Sequence, residues 1–170
     1  MRFASTAAQM RELDRRVIEG LGLPGIALME LAARGVADMV WTHHSADARH
    51  GVTVVCGPGN NGGDGWAIAR WLHAWGFEVS AWSVAEPRAG TDAGIMRAVA
   101  KAMGIREVRG IDGAGLVIDA IFGTGLARDV DEPYAGAIAT MDRGTAPIVA
   151  IDLPSGLASD TGAVLGRCAT

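Results

Sequence analysis

An α/β chain with a doubly wound, mainly parallel sheet is predicted by three features of the sequence. A run of β-branched residues, Val52, Val54 and Val55, passes through the glycine-rich GPGNNGGDG straight into the helical segment WAIARWLHAWG. Segments of strand-like and helical period then alternate along the rest of the chain, the pattern that right-handed β-α-β crossovers produce. Polar and acidic residues gather where the strands end, the side of such a sheet on which ligands bind.

Taken in order, Thr6 and Gln9 have the form of a capping box, Met10, Leu13, Val17 and Leu21 recur at helical spacing, and Gly20, Gly22 and Pro24 break the pattern. A second helix follows Pro24 and Gly25, with Leu28, Met29, Leu31, Ala32, Val36 and Val40 as a broad apolar face, and fades in the polar stretch 43–49. Two helices before the first strand exceed what a minimal nucleotide-binding fold requires, so they cover the sheet or make a subunit contact. After the first strand, five glycines in nine residues are expected to lie outside any regular element. Trp66, Ile68, Ala69, Leu72 and Trp75 then form a helical stripe that Gly76 stops, and residues 77–84 alternate as a second strand. Residues 91–103 read as a helix with Ile95, Val99, Ala102 and Met103 apolar, whereas the segment around Val108 carries no clear period. Residues 116–122, LVIDAIF, form a strong strand that ends in Gly123-Thr124-Gly125. Pro133 belongs in the first turn of a helix through Met141, and residues 147–153, PIVAIDL, are the last strand.

At 170 residues, 49% hydrophobic and 20% charged, the chain is expected to be one soluble domain with a real core. The net charge of -4, with basic residues scattered along the chain, leaves no basic patch for nucleic acid or a membrane surface. The chain has no apolar run of about 18 residues, and its first ten lack the apolar core of an export signal. Cys56 and Cys168 have neither the number nor the spacing of a disulfide framework or a zinc site, so a cytoplasmic location is expected.

Gly57 to Gly62 satisfies G-x-G-x-x-G between a strand and a helix, and no Lys-Ser/Thr follows to make it a Walker loop. Glycine lets a phosphate approach the main chain, and the helix start adds free N–H groups and a partial positive charge. A tight structural turn would use the same glycines, but it has no need of the polar side chains of Asn60, Asn61 and Asp64. Asp119 lies inside an apolar strand and Asp152 at the exit of another. A carboxylate so placed must be paired, bonded to donors or holding a cation, and a loop cap through backbone N–H groups would also account for it. The donors gathered there are oxygens, a set that suits a hard cation rather than zinc. His43, His44, His50 and His73 show no ligand or triad spacing, and Ser155 is no nucleophile elbow because Leu153 stands where that motif needs Gly. Trp66, Trp71 and Trp75 are expected to pack in a core or interface rather than stack on bases.

The succession AAQMRELD, LPGIALMELAA, GPGNNGGDG, DAIFGTG and AIDLPSGLASDTG closely resembles the NAD(P)H-hydrate epimerase family, the YjeF N-terminal domain, from about Ala7 to Gly162. The resemblance implies a Rossmann-like enzyme that interconverts the R and S epimers of NADH or NADPH hydrated at C6 of the nicotinamide ring (NADHX and NADPHX). An ATP- or ADP-dependent dehydratase, fused or separate, would then restore the dinucleotide. Carried over motif by motif, Asn60, Asn61, Gly62, Gly63 and Asp64 would contact the hydrate, as would Gly123, Thr124, Gly125, Leu126, Ala127, Arg128 and Asp129. Asn61, Asp119 and Ser155 would bind a potassium ion. Asp152 would face the substrate as the acid/base at the C6 hydroxyl, which leaves reversibly through a cationic ring or by ring opening. A homodimer through the N-terminal helices is implied as well.

Two departures stand out. Many members carry a basic residue directly after the GTG-hydrophobic turn, where this chain has Ala127 followed by Arg128. The family also continues for several tens of residues past the DTG motif, so the chain is expected to be a single YjeF N-terminal-type domain over residues 1–170 without its C-terminal strands. The alternative to an epimerase is a non-catalytic nucleotide- or protein-binding module on the same fold, which could lose Asp119, Asp152 or Ser155 without penalty; all three are present. A dehydrogenase fits less well, since no acidic residue clearly ends the second strand and no substrate domain follows.

Overall fold

A computed structural model describes residues 5–170. Five parallel strands form one sheet in the order β3-β2-β1-β4-β5. These are β1 (Val52–Cys56), β2 (Val79–Ser83), β3 (Arg106–Glu107), β4 (Leu116–Ala120) and β5 (Ile148–Ala150). Sequence neighbours β1 and β2 pair on one side and β1 and β4 on the other, so the winding reverses between β1 and β4. A crevice opens at the carboxyl ends of strands at such a reversal. The register sets Cys56 opposite Ala120, which brings the turns after β1 and β4 side by side.

Side chains alternate across the sheet and feed two cores. Val52, Val54 and Cys56 of β1 with Leu116, Ile118 and Ala120 of β4 pack under α2 (Gly25–His43), α4 (Asn60–Ala74) and α5 (Asp92–Ala102). Val55, Val117 and Ile121 face the other way, against Ala137, Ile138 and Met141 of α6 (Tyr134–Arg143). Asp119 has the parity of Val117 and Ile121, so a carboxyl occupies an apolar row.

The first element among the described residues is α1 (Ala7–Arg15), whose capping box forms as expected: Gln9 N–H donates to Thr6 Oγ1 at 3.2 Å and Thr6 N–H to Gln9 Oε1 at 2.9 Å. A π-helical turn, Arg16–Gly20, continues it. The expected apolar stripe is real but faces outward, with Leu13 50% and Leu21 81% exposed. On α2 the packed row is Met29, Ala33, Ala37 and Val40, whereas Leu31 points to solvent. Small residues at 33 and 37 let α2 lie close on α4, which selects one edge of the broad apolar face. Within the polar stretch after α2 lies a single turn, α3 (Ser45–Ala48).

The larger correction concerns the glycines. Asn60 to Asp64 and Gly65 do not form a loop; they are the first turns of α4, which begins at Asn60. The general rule against glycine in a helix yields to packing here. A Cβ on Gly62 would collide with the Gly57 carbonyl, and one on Gly65 would press on Ala120 at 2.6 Å and Cys56 at 3.0 Å. Their absence lets the helix start directly against the strand ends. Other expected elements hold with trimmed ends: Thr91 caps α5, Gly76 ends α4 with φ +92°, and Pro133 precedes α6 as its N-cap. The segment before Val108 is the short edge strand β3. Among the described residues, no helix is long and apolar enough to cross a membrane.

Candidate active site at the carboxyl ends of β1, β4 and β5

Three chain exits converge at the β1–β4 crevice. The first is the start of α4. Its N-cap is Gly59 and no side chain caps it, so the leading N–H groups are open to a ligand, with the helix dipole behind them. Asn60 is exposed there, and Asn61 is half-buried with its Nδ2 lacking any hydrogen-bond partner. Gly62 and Gly63 are buried in the helix–sheet contact, and Asp64 lies one turn further along.

The second exit follows β4. Gly123 lies where Asn61 and Asp152 meet: a Cβ there would strike the Asp152 carboxylate and come within 3.1 Å of Asn61 Oδ1. Thr124 N–H donates to Asp152 Oδ2 at 2.9 Å. Leu126 N–H closes the turn on the Gly123 carbonyl at 3.2 Å, and the Leu126 side chain packs into the core under α6. Gly125, Ala127, Arg128 and Asp129 are exposed, and neither charged side chain makes a hydrogen bond or ion pair among the described residues.

The third exit is the segment after β5, and Asp119 and Ser155 tie it to β4. Asp119 is fully buried. Its Oδ1 accepts from Ser155 Oγ at 2.6 Å and Ile121 N–H at 3.2 Å, and its Oδ2 accepts from Ser155 N–H at 2.8 Å. Ser155 Oγ in turn accepts from Phe122 N–H at 2.9 Å. The structural expectation for Asp119, a cap over backbone N–H groups, is thus realised, and the buried Ser155 is a clamp and not a nucleophile. Burial still pushes the Asp119 carboxyl up against these lowering hydrogen bonds, and no cationic side chain pairs with it among the described residues.

No group of three or more His, Cys, Asp or Glu that could hold a metal forms among the described residues. The oxygens present are of another kind: a single buried carboxylate, the Asn61 amide beside Gly123, and the hydroxyl and main chain of Ser155. One uncompensated negative charge among neutral oxygens fits a singly charged hard cation better than zinc.

Asp64 is a second carboxyl of the site that burial pushes up. Burial first, then the charges of Asp152 and Asp14, push its carboxyl from the ordinary 3.8 up to about 7. In the unfolded chain the group ionises near its ordinary value, so between about pH 4 and 7 the folded protein holds a proton that unfolding releases. Stability therefore falls as pH rises through that interval and levels off above about 7. Asp64→Asn is expected to flatten this slope and to be more stable than wild type at pH 8, read as urea midpoints at pH 5 and pH 8. An unchanged difference between the two pH values would remove Asp64 as its source.

Sequence reasoning missed the contribution of α1. Asp14 is near enough for its charge to reach Asp64, and Ala7 N–H donates to Asp160 Oδ1 at 2.9 Å across the whole length of the chain. A cavity of about 180 Å³ lies between α1 and the segments 124–127 and 158–161. A larger hollow of about 330 Å³ opens at the amino end of β2, lined by Trp41, Trp75 and Phe77. It lies at the opposite end of the strands from Asn61, Asp119 and Asp152, and Gly76 and Glu78 in its lining belong to the turn that ends α4, so the chemistry is placed in the smaller cavity and the crevice beside it.

Comparison with known proteins gives the family and the fold. The family described as YjeF-related protein N-terminus matches residues 25–170. The NAD(P)H-hydrate epimerase of Limosilactobacillus fermentum is 41% identical over 167 residues, which cover 96% of this chain and 79% of the relative. The bifunctional NAD(P)H-hydrate repair enzyme Nnr of Salinibacter ruber is 38% identical over 95% of this chain and 33% of its own length. The crystal structure of yeast ynu0, YNL200c, superposes with a TM-score of 0.84 at 23% identity, covering 96% of this chain and 75% of that one, and supports the Rossmann-like fold.

Proposed function

This chain belongs to the YjeF-related N-terminal family, and we infer from that membership and from its site that it is an NAD(P)H-hydrate epimerase, interconverting the R and S forms of hydrated NADH and NADPH in nicotinamide nucleotide repair. The observation that carries the residue assignment is the meeting of Asn61, Gly123, Thr124 and Asp152 at the strand reversal, with Asp64 beside them.

In this reading the open N–H groups of α4 at Asn60, Asn61 and Gly62, with Gly63 closing the first helical bond onto the Gly59 carbonyl behind them, and the turn from Gly123 to Asp129 receive the dinucleotide. Asp152 is held by Thr124 N–H through Oδ2, which leaves Oδ1 for the ring. It protonates the C6 hydroxyl, which departs as water while the ring-nitrogen lone pair forms the C–N double bond of a cationic ring. Water returning to the opposite face of C6 gives its proton back to the carboxylate, and the configuration is inverted with no net change in atoms. Nearby carboxylates favour the cationic ring, and Asp64, which feels the charge of Asp152, holds a proton near neutral pH. Asp119, Ser155 and Asn61 would hold a potassium ion, which would offset buried negative charge next to the anionic substrate. The outward apolar residues Leu13, Leu21 and Leu31 are read as the contact of a homodimer. The S form would pass to an ADP- or ATP-dependent dehydratase, and cytoplasmic repair is the setting.

The test is R-to-S epimerisation of purified NADPHX by this chain, coupled to a dehydratase, in potassium and in potassium-free buffer. Activity that requires potassium is expected. A folded sample that binds the hydrate and leaves its epimers unchanged would favour the binding-module reading, and activity indifferent to potassium would remove the ion from the site.

A further inference from the structure

We propose that Arg11 binds a phosphate group of the dinucleotide substrate in the cavity between α1 and the turns that follow β4 and β5, so that the N-terminal helix is one wall of the substrate site. The proposal rests on the epimerase reading and deepens it.

The cavity's lining is suited to an anion. Thr124, Ser159 and Thr161 bring hydroxyl groups, Gly125 leaves main chain uncovered, and Arg11 is the cationic side chain that lines it among the described residues. The neighbouring arginines of the helix are occupied: Arg15 donates to Glu12 at 2.9 Å and to Glu19 at 3.1 Å, and Arg16 donates to Glu12 at 2.8 Å. Arg11 makes no hydrogen bond or ion pair among the described residues, so its planar fork of five donors is uncommitted, the geometry that matches phosphate oxygens two at a time. Asp160 also lines the cavity, and its Oδ1 accepts from Ala7 N–H. That bond fixes the start of α1 against the far wall and sets Arg11 over the space. An acidic group beside a cation suits a sugar phosphate, the hydroxyls going to one and the phosphate to the other.

Position and size agree. Thr124 lines this cavity and also holds Asp152 through its N–H, so a phosphate seated here is on the same ligand as the ring at Asp152. About 180 Å³ is less than the roughly 300 Å³ at which complete small-molecule sites begin, as expected for a subsite that takes one end of a longer ligand.

The experiment compares wild type, Arg11→Ala and Arg11→Lys. KM and kcat are measured for NADPHX and NADHX, and dissociation constants for ADP-ribose and 2′-phospho-ADP-ribose are measured by calorimetry. Arg11→Ala is expected to raise KM by about ten- to a hundredfold with kcat and melting temperature nearly unchanged, and Arg11→Lys to recover part of the loss. A loss confined to NADPHX and 2′-phospho-ADP-ribose assigns the 2′-phosphate to Arg11; an equal loss on all ligands assigns the diphosphate. KM and dissociation constants within twofold of wild type on all of them would overturn the proposal. If the wild-type chain epimerises neither substrate, the epimerase reading fails on its own account, and the two binding constants still decide the role of Arg11.

Discussion

Asp152→Asn is expected to slow epimerisation by about 10²- to 10⁴-fold, the range over which a positioned acid/base acts, while leaving the fold intact. The substitution is chosen for what it keeps. An amide oxygen can still accept from Thr124 N–H, and it occupies the same volume over Gly123, where the carboxylate fills the place a Cβ would take. Only proton exchange at the C6 hydroxyl is removed. Asp152→Ala deletes the acceptor as well and frees the Gly123 to Gly125 turn, so it is expected to raise KM in addition to lowering kcat. Steady-state rates with melting temperatures separate the two. A rate for Asp152→Asn within about tenfold of wild type would transfer the acid/base role to another group, of which Asp64 is the one already carrying a proton near neutral pH.

The parts of this site that could be read in the sequence are those in which local pattern and chemistry conflict. Asp119 inside LVIDAIF and Asp152 at the end of PIVAIDL were visible because apolar strands do not ordinarily carry carboxyl groups, and the structure places both at exits beside the winding reversal. The glycines after β1 pointed to the right place by a wrong route. Their number argued for a loop, whereas they open a helix whose first turns need bare Cα atoms against Gly57, Ala120 and Cys56. Glycine composition reports close approach without saying whether a turn or a packed helix requires it. What α1 does was not legible at all. A capping box and an apolar stripe establish that a helix forms, and amphipathicity gives it two faces, but which face meets the protein depends on Ala7 reaching Asp160 at the other end of the chain. The raised carboxyl of Asp64 is hidden for the same reason, since it depends on burial and on charges from two other segments.

The second large effect is expected at Asp119. Replacing it with Ala strands the Ser155 N–H and the Ile121 N–H in a buried place with no acceptor, leaves the Ser155 hydroxyl only the Phe122 carbonyl at 3.4 Å, and opens a gap in the row formed by Val117 and Ile121. A cost of about 3–5 kcal/mol follows from unpairing buried, charge-assisted hydrogen bonds. That is a large share of the roughly 5–15 kcal/mol that holds a domain together. Ser155→Ala leaves two backbone donors on the carboxylate, so a smaller loss of about 1–3 kcal/mol is expected. The two losses should fall short of additive in the double variant, because both remove the same 2.6 Å contact. Urea titration reads all three, and a loss below about 1 kcal/mol for Asp119→Ala would mean that the network is not what joins β4 to the segment after β5. Asp119→Asn separates stability from cation binding. It preserves the size of the side chain and one acceptor, sets an amide N–H₂ where a carboxylate oxygen had been, and removes the buried charge. A cation that binds the folded state raises its stability in proportion to the logarithm of concentration over dissociation constant. Potassium should therefore raise the melting temperature of wild type and not that of Asp119→Asn. Equal shifts in both would place the stabilising ion away from Asp119, whatever the variant does to the rate.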